Sequence, residues 1–146
     1  MSGAVLTVLG FDYGKRRIGV AVGQTLTRTA TALRSVPVRN RRPDWDRISE
    51  WVREYQPQLF VLGLPLSPDN NPHPLAVHIT HFGRQLKDRF HLPVEFIDER
   101  LSSHEAASRA TVNTAEDLDA EAARVILESW LRDHALQRAP AAAVHA

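Results

Sequence analysis

The apolar positions change their period several times along the chain. "VLTVLGF" and "LFVLGLP" are short, nearly continuous apolar runs, the pattern of strands covered on both faces. The first predicts a strand from Val5 to Asp12, a tight turn over Tyr13 to Arg16, and a hairpin partner from Ile18 to Val22. Ala30 to Val38 reads as a third strand. In "PDWDRISEWVREYQ" the period lengthens: Trp45, Ile48, Val52 and Tyr55 recur at helical spacing, with Pro43 and Asp44 as start signals. "LFVLGLP" follows as a strand, and the proline-rich Pro65 to Pro74 as a surface loop. Leu75, Ile79, Phe82, Leu86 and Phe90 mark a second amphipathic helix, and "PVEFI" a further strand ending at Asp98 and Glu99. Ser102 with Glu105 forms a capping-box pattern opening a short helix. The last long helix is expected from about Leu118 to Ala135, with a frayed tail "APAAAVHA". Three strands followed by alternating helix and strand describe an α/β fold, a mixed sheet of about five strands, the first three antiparallel, flanked by helices. No internal repeat or domain boundary interrupts it, so residues 1–138 are expected to form a single domain ahead of a tail at 139–146.

Composition narrows the chemistry. Of 146 residues, 43% are hydrophobic, enough for a genuine core in one compact domain. No apolar run approaches the roughly 20 residues of a membrane span, and no signal-type leader is visible, so the expectation is a cytoplasmic protein without membrane attachment. With no cysteine, any metal must be held by carboxylates or imidazoles. The formal charge of +1 excludes a uniformly basic coat, but sixteen of the eighteen cations are arginine, the side chain suited to bidentate phosphate contacts.

Three acids stand where acids are costly. Asp12 closes an apolar strand just before a turn rich in cations. On the last helix, at about 100° per residue, Ala122, Ala123, Ile126 and Trp130 fall within roughly 60° of Asp119, while Asp117, Glu121, Arg124 and Glu128 gather on the opposite side. Asp119 therefore sits in the middle of an apolar face. A first-turn acid complementing the helix dipole is the simpler reading, but Asp117 already serves it. At "FIDER", Asp98 and Glu99 point to opposite faces of a continuing strand, and alternation does not choose between them. Acids closing the first and last strands and one on the final helix would repel unless a divalent cation neutralised them. Oxygen ligands without cysteine favour Mg2+ or Mn2+, which polarise a phosphate and activate water for phosphodiester cleavage. The expected architecture brings Asp119 to the end of the first strand, close to Asp12.

"GFDYGKRRIGVAVG", "VLGLPLSPDN", "FIDERLSS" and "DAEAARVILESWL" occur in the order and at nearly the spacing of the YqgF-like family of Holliday-junction-resolvase-like nucleases. The resemblance covers almost the whole chain. It implies a ribonuclease-H-like fold, a divalent-metal nuclease site, and hydrolysis of phosphodiester bonds in maturing the 5′ end of pre-16S ribosomal RNA. Resolution of branched DNA, as a Holliday junction resolvase, is the alternative. Asp12, Glu99 and Asp119 match the family's acidic positions, and the choice of Glu99 over Asp98 rests on the resemblance alone. Lys15, Arg16 and Arg17, beside Asp12, and Arg100, beside Glu99, are the candidate phosphate contacts. Arg39, Arg41 and Arg42 form a second basic run. The family's longer lysine- and glycine-rich loop before the last helix is replaced here by the short, acidic "TVNTAED".

Two competing readings remain. The acid, glycine and hairpin of the opening also resemble the phosphate element of actin-like and sugar-kinase ATPases, but those close two lobes over nucleotide. A non-catalytic nucleic-acid-binding factor would retain the fold without cleavage. The implied partner is nucleic acid, either a ribosomal RNA precursor or branched DNA, bound by a monomer or a homodimer.

Overall fold

The computed structural model describes residues 6–65, 73–98 and 115–145, with side chains of the last helix described for residues 118–133. The strands are β1 (Thr7–Tyr13), β2 (Arg17–Gln24), β3 (Thr29–Arg39), β4 (Arg42–Pro43), β5 (Leu59–Leu64) and β6 (Val94–Asp98). The helices are α1 (Trp45–Tyr55), α2 (Ala76–Phe90) and α3 (Ala115–His145). One six-stranded sheet has the order β4-β3-β2-β1-β5-β6. The β1–β2, β2–β3 and β3–β4 pairs are antiparallel, whereas β5 runs parallel to β1 and β6 parallel to β5. The C-terminal ends of β1, β5 and β6 thus meet at one end of the sheet, where open α/β sheets place their sites.

Five strands lie where the apolar pattern puts them. The sixth, β4, occupies part of the basic link "RNRRP": Val38 pairs with Pro43 and Arg39 with Arg42 across a two-residue turn. Pro43, expected to open α1, is instead a buried strand residue. Asp44 alone caps α1, its Oδ1 accepting from the Arg47 N–H at 3.3 Å. α3 is longer at both ends than expected, so that Asp119 lies in its second turn rather than its first. The short helix expected after Ser102 falls outside the described residues.

Alternation along β1 sorts its side chains between two cores. Leu9 and Phe11 join Ile18, Val20, Phe60 and Leu62 beneath α1 and α2, where Ile48, Trp51, Phe82 and Leu86 cover them. Val8, with Ala21, Leu59 and Val61, faces Ala123, Ile126, Leu127 and Trp130 of α3. The helices therefore cover both faces, which is why β1 and β5 read as continuous apolar runs rather than alternating ones. Among the described residues, no helix is long and apolar enough to cross a membrane.

Candidate active site

Asp12 shares the parity of Val8 and Gly10, so it lies on the α3 face, one residue from the end of β1. Directly across the ladder its partner is Gly19 of β2. A Cβ on Gly19 would fall 1.9 Å from the Asp119 carbonyl oxygen and 2.9 Å from the Ala120 nitrogen, so only glycine lets the start of α3 settle there. Facing residues of an antiparallel pair have Cβ atoms about 4.5–5.5 Å apart, which brings the Asp119 backbone within roughly 8 Å of the Asp12 Cβ. Two acids 107 positions apart in sequence are thus brought together through one glycine. That glycine is the site residue the sequence reading passed over. An isolated glycine inside an apolar strand, "RIGVAVG", was the available signal.

The helical face assigned to Asp119 is as expected on its apolar side, with Ala123 and Ile126 fully buried and Trp130 nearly so. The opposite side is less solvated than its charges suggest. Arg124 bonds both Glu121 and Glu128, and Glu128 Oε2 also accepts from the Ala30 N–H of β3 at 3.3 Å. Glu121 and Glu128 hold the Arg124 guanidinium protonated beyond its usual range, against the opposing effect of burial.

The expected phosphate contacts differ from one another. Lys15 and Arg16 are exposed in the β1–β2 turn. Arg17 turns inward, its Nε donating to Asp119 Oδ2 at 2.7 Å, with both side chains about one-third exposed. It supplies a counter-charge to the acid. Arg100 lies outside the described residues, as does Glu99. Asp98 is described, and its parity decides its face: Val94 and Phe96 meet Gly83 of α2, whereas Glu95 accepts from Trp130 Nε1 at 3.0 Å and Ile97 packs in the α3 core. By that alternation Asp98 falls on the α2 side of β6. Among the described residues no three metal-ligating side chains come together. Asp12 and Asp119, whose backbones approach each other across Gly19, both carry hard carboxylates, a donor type suited to a divalent cation.

The family profile of RuvX, described as a Holliday junction resolvase, matches residues 6–133. The chain belongs to the RuvX family. Curated relatives cover most of it. A Burkholderia thailandensis protein named "Putative pre-16S rRNA nuclease" is 50% identical over 127 residues, covering 86% of this chain and 87% of its own. A Burkholderia ambifaria protein of the same name is 46% identical over 140 residues, covering 90% and 94%. Among solved structures, Thermus thermophilus RuvC in complex with Holliday junction substrate aligns with a TM-score of 0.55 at 13% identity, covering 88% of this chain and 95% of that one. The fowlpox virus Holliday junction resolvase aligns with a TM-score of 0.53 at 12% identity, covering 88% and 99%. The fold of this RuvX-family protein is therefore the ribonuclease-H-like fold of the resolvases, and the protein is a nuclease, a hydrolase of phosphodiester bonds.

Proposed function

We propose that this RuvX-family nuclease holds Mg2+ or Mn2+ between Asp12, Asp119 and Glu99 and cleaves the 5′ end of pre-16S ribosomal RNA. The observation that carries the reading is the approach of Asp119 to Asp12 across Gly19. Glu99 is taken as the third ligand from its match to the acid of the family's "DER" motif. Ribonuclease-H-like nucleases generally use divalent metals. When bound, such an ion would supply Lewis-acid polarisation of the scissile phosphate and help activate the attacking water.

The chain's own residues bind and orient. Asp12 and Asp119 give fixed oxygen ligands on rigid elements. Arg17 holds Asp119 in place, and Lys15 and Arg16 offer cations to the phosphates flanking the cleaved bond. The names of the curated relatives support ribosomal RNA precursor as substrate, and a cytoplasmic site of action follows from it. The family description supports a second substrate, a four-way DNA junction.

Incubation of the purified protein with precursor RNA and with a four-way DNA junction, under Mg2+ or Mn2+, tests the assignment. Cleavage at the 5′ side of the 16S sequence, abolished in Asp12→Asn, is expected. Cleavage of the junction alone transfers the site to DNA, and binding without metal-dependent cleavage of either substrate overturns the nuclease reading.

A further inference from the structure

On the face of the sheet opposite Asp12, the β3–β4 hairpin, the start of α1 and the C-terminal half of α2 border an open cleft of about 500 Å3. Arg41 and Arg42 line it from the turn and Arg89 from α2, with Trp45 between them. The Arg89 guanidinium carbon lies 4.2 Å from the centre of the Trp45 ring, a cation–π contact that fixes the charge beside the cleft. Asp44 and Asp46 also border the cleft, but the Asp44 carboxylate is engaged in capping α1. Among the described residues, none of the three guanidiniums is in an ion pair.

The turn itself is a second observation. Asn40 and Arg41 both have positive φ, 51° and 62°, which is the backbone of a two-residue hairpin turn normally built with glycine. An arginine at the second position is strained, and strain persists where the side chain has a use. Its position is tied to the site. The Val38 N–H donates to the Arg16 carbonyl at 2.8 Å and Arg17 pairs with Pro37, so the Asn40–Arg41 turn stands near the Lys15–Arg16 turn. Two ring-to-ring steps, Tyr13 to Phe82 at 5.4 Å and Phe82 to Trp45 at 5.5 Å, lead from the neighbour of Asp12 to the cleft. The charge of Arg41 reaches the Tyr13 phenol, where it partly offsets the upward push of burial. Phe82 itself is buried, so these ring contacts tie the cleft to the site through the core, and a strand would pass between them over the surface.

We propose that this arginine cleft is an accessory subsite for the phosphate backbone of the substrate strand, gripping it a few nucleotides from the bond that lies at Asp12 and Asp119. The strand reaches it over the end of the sheet, past Lys15 and Arg16. This rests on the nuclease reading above for its polarity, but binding and cleavage are measured separately. The contacts are to phosphates, so they carry affinity and register rather than base specificity.

Fluorescence anisotropy with labelled single-stranded RNA and DNA of one sequence tests it, in full-length protein carrying Asp12→Asn so that the bound strand stays intact. Arg42→Gln and Arg89→Gln are each expected to weaken binding at least threefold and to lower the slope of log affinity against log salt by about 0.7 for each phosphate no longer neutralised. Arg41→Gly separates function from folding: it relieves the positive φ, so the melting temperature holds or rises while affinity falls. An oligonucleotide too short to reach the cleft should bind all four proteins equally. Unchanged affinity and salt slope in all three variants, on both polymers, overturn the proposal. If the parent protein cleaves nothing while the variants still bind more weakly, the nuclease reading fails and the subsite stands.

Discussion

Asp119 sits where a carboxylate with no cation would be repelled by Asp12, and Arg17 meets that need in the absence of metal. The pair is about one-third exposed, so its contribution to stability is modest, at most about 1 kcal/mol. Arg17→Gln should therefore lower the urea-unfolding free energy by no more than that, and the Mg2+ concentration that half-saturates the site should fall, because the ion no longer competes with a guanidinium for Asp119. Asp98 and Glu99 make the complementary test. Asp98→Asn is expected to leave the metal titration unchanged and cost about 1 kcal/mol of stability through local hydrogen bonding. Glu99→Gln should raise the metal requirement or abolish the response, and the opposite ranking would place Asp98 on the site face. Asp12 and Asp119 stand out in the sequence because each interrupts a clear apolar pattern. Asp98 and Glu99 could not, because Val94, Phe96 and Ile97 are apolar on both sides of β6 and hide its parity until α2 and α3 are packed against it.

The element that matters most to the site is the contact between β2 and the start of α3. Backbone lies against backbone at Gly19, and neither partner has a flexible end that could move aside. Gly19→Ala should cost at least about 1–3 kcal/mol, the range for overpacking, read as a lower urea midpoint. It should also weaken metal binding by shifting Asp119 away from Asp12, although it changes no ligand. A Gly19→Ala protein with parental stability and metal affinity would mean that α3 does not need this approach. The longer strands and the three helices followed from periodicity, since each carries a continuous apolar run or an amphipathic face. β4 did not. A hairpin turn is recognised by Asn-Gly or Asp-Gly, and here Asn40 is followed by Arg41, so "RNRRP" reads as a solvated basic link. The arginine that stands in place of glycine and conceals the turn is also what gives the cleft its charge.

At the scale of the whole molecule, the sheet carries α1 and α2 on one face and α3 on the other, and the two acids are contributed from opposite ends of the chain. Closing the site therefore requires the complete sheet and the docked α3, and a ligand bridging Asp12 and Asp119 stabilises the molecule as a unit. At 100 times its dissociation constant such an ion contributes about 2.7 kcal/mol, a rise of roughly 5–10 °C in melting temperature for a chain of this length. Asp12→Asn should remove that rise, retain the fold, and reduce cleavage at least about 100-fold, since the missing ion is worth several kcal/mol in the transition state. The order of motifs made the ribonuclease-H-like architecture legible, but the meeting of Asp12 with Asp119 depends on strand pairing and on a close helix approach that no periodicity encodes. The most direct test of the central claim is calorimetric titration of Mn2+ into the parent protein, Asp12→Asn and Asp119→Asn. Saturable binding in the parent, abolished in both variants while each keeps its fold by circular dichroism, is the predicted result; binding that survives unchanged in either variant would contradict a metal site shared by Asp12 and Asp119.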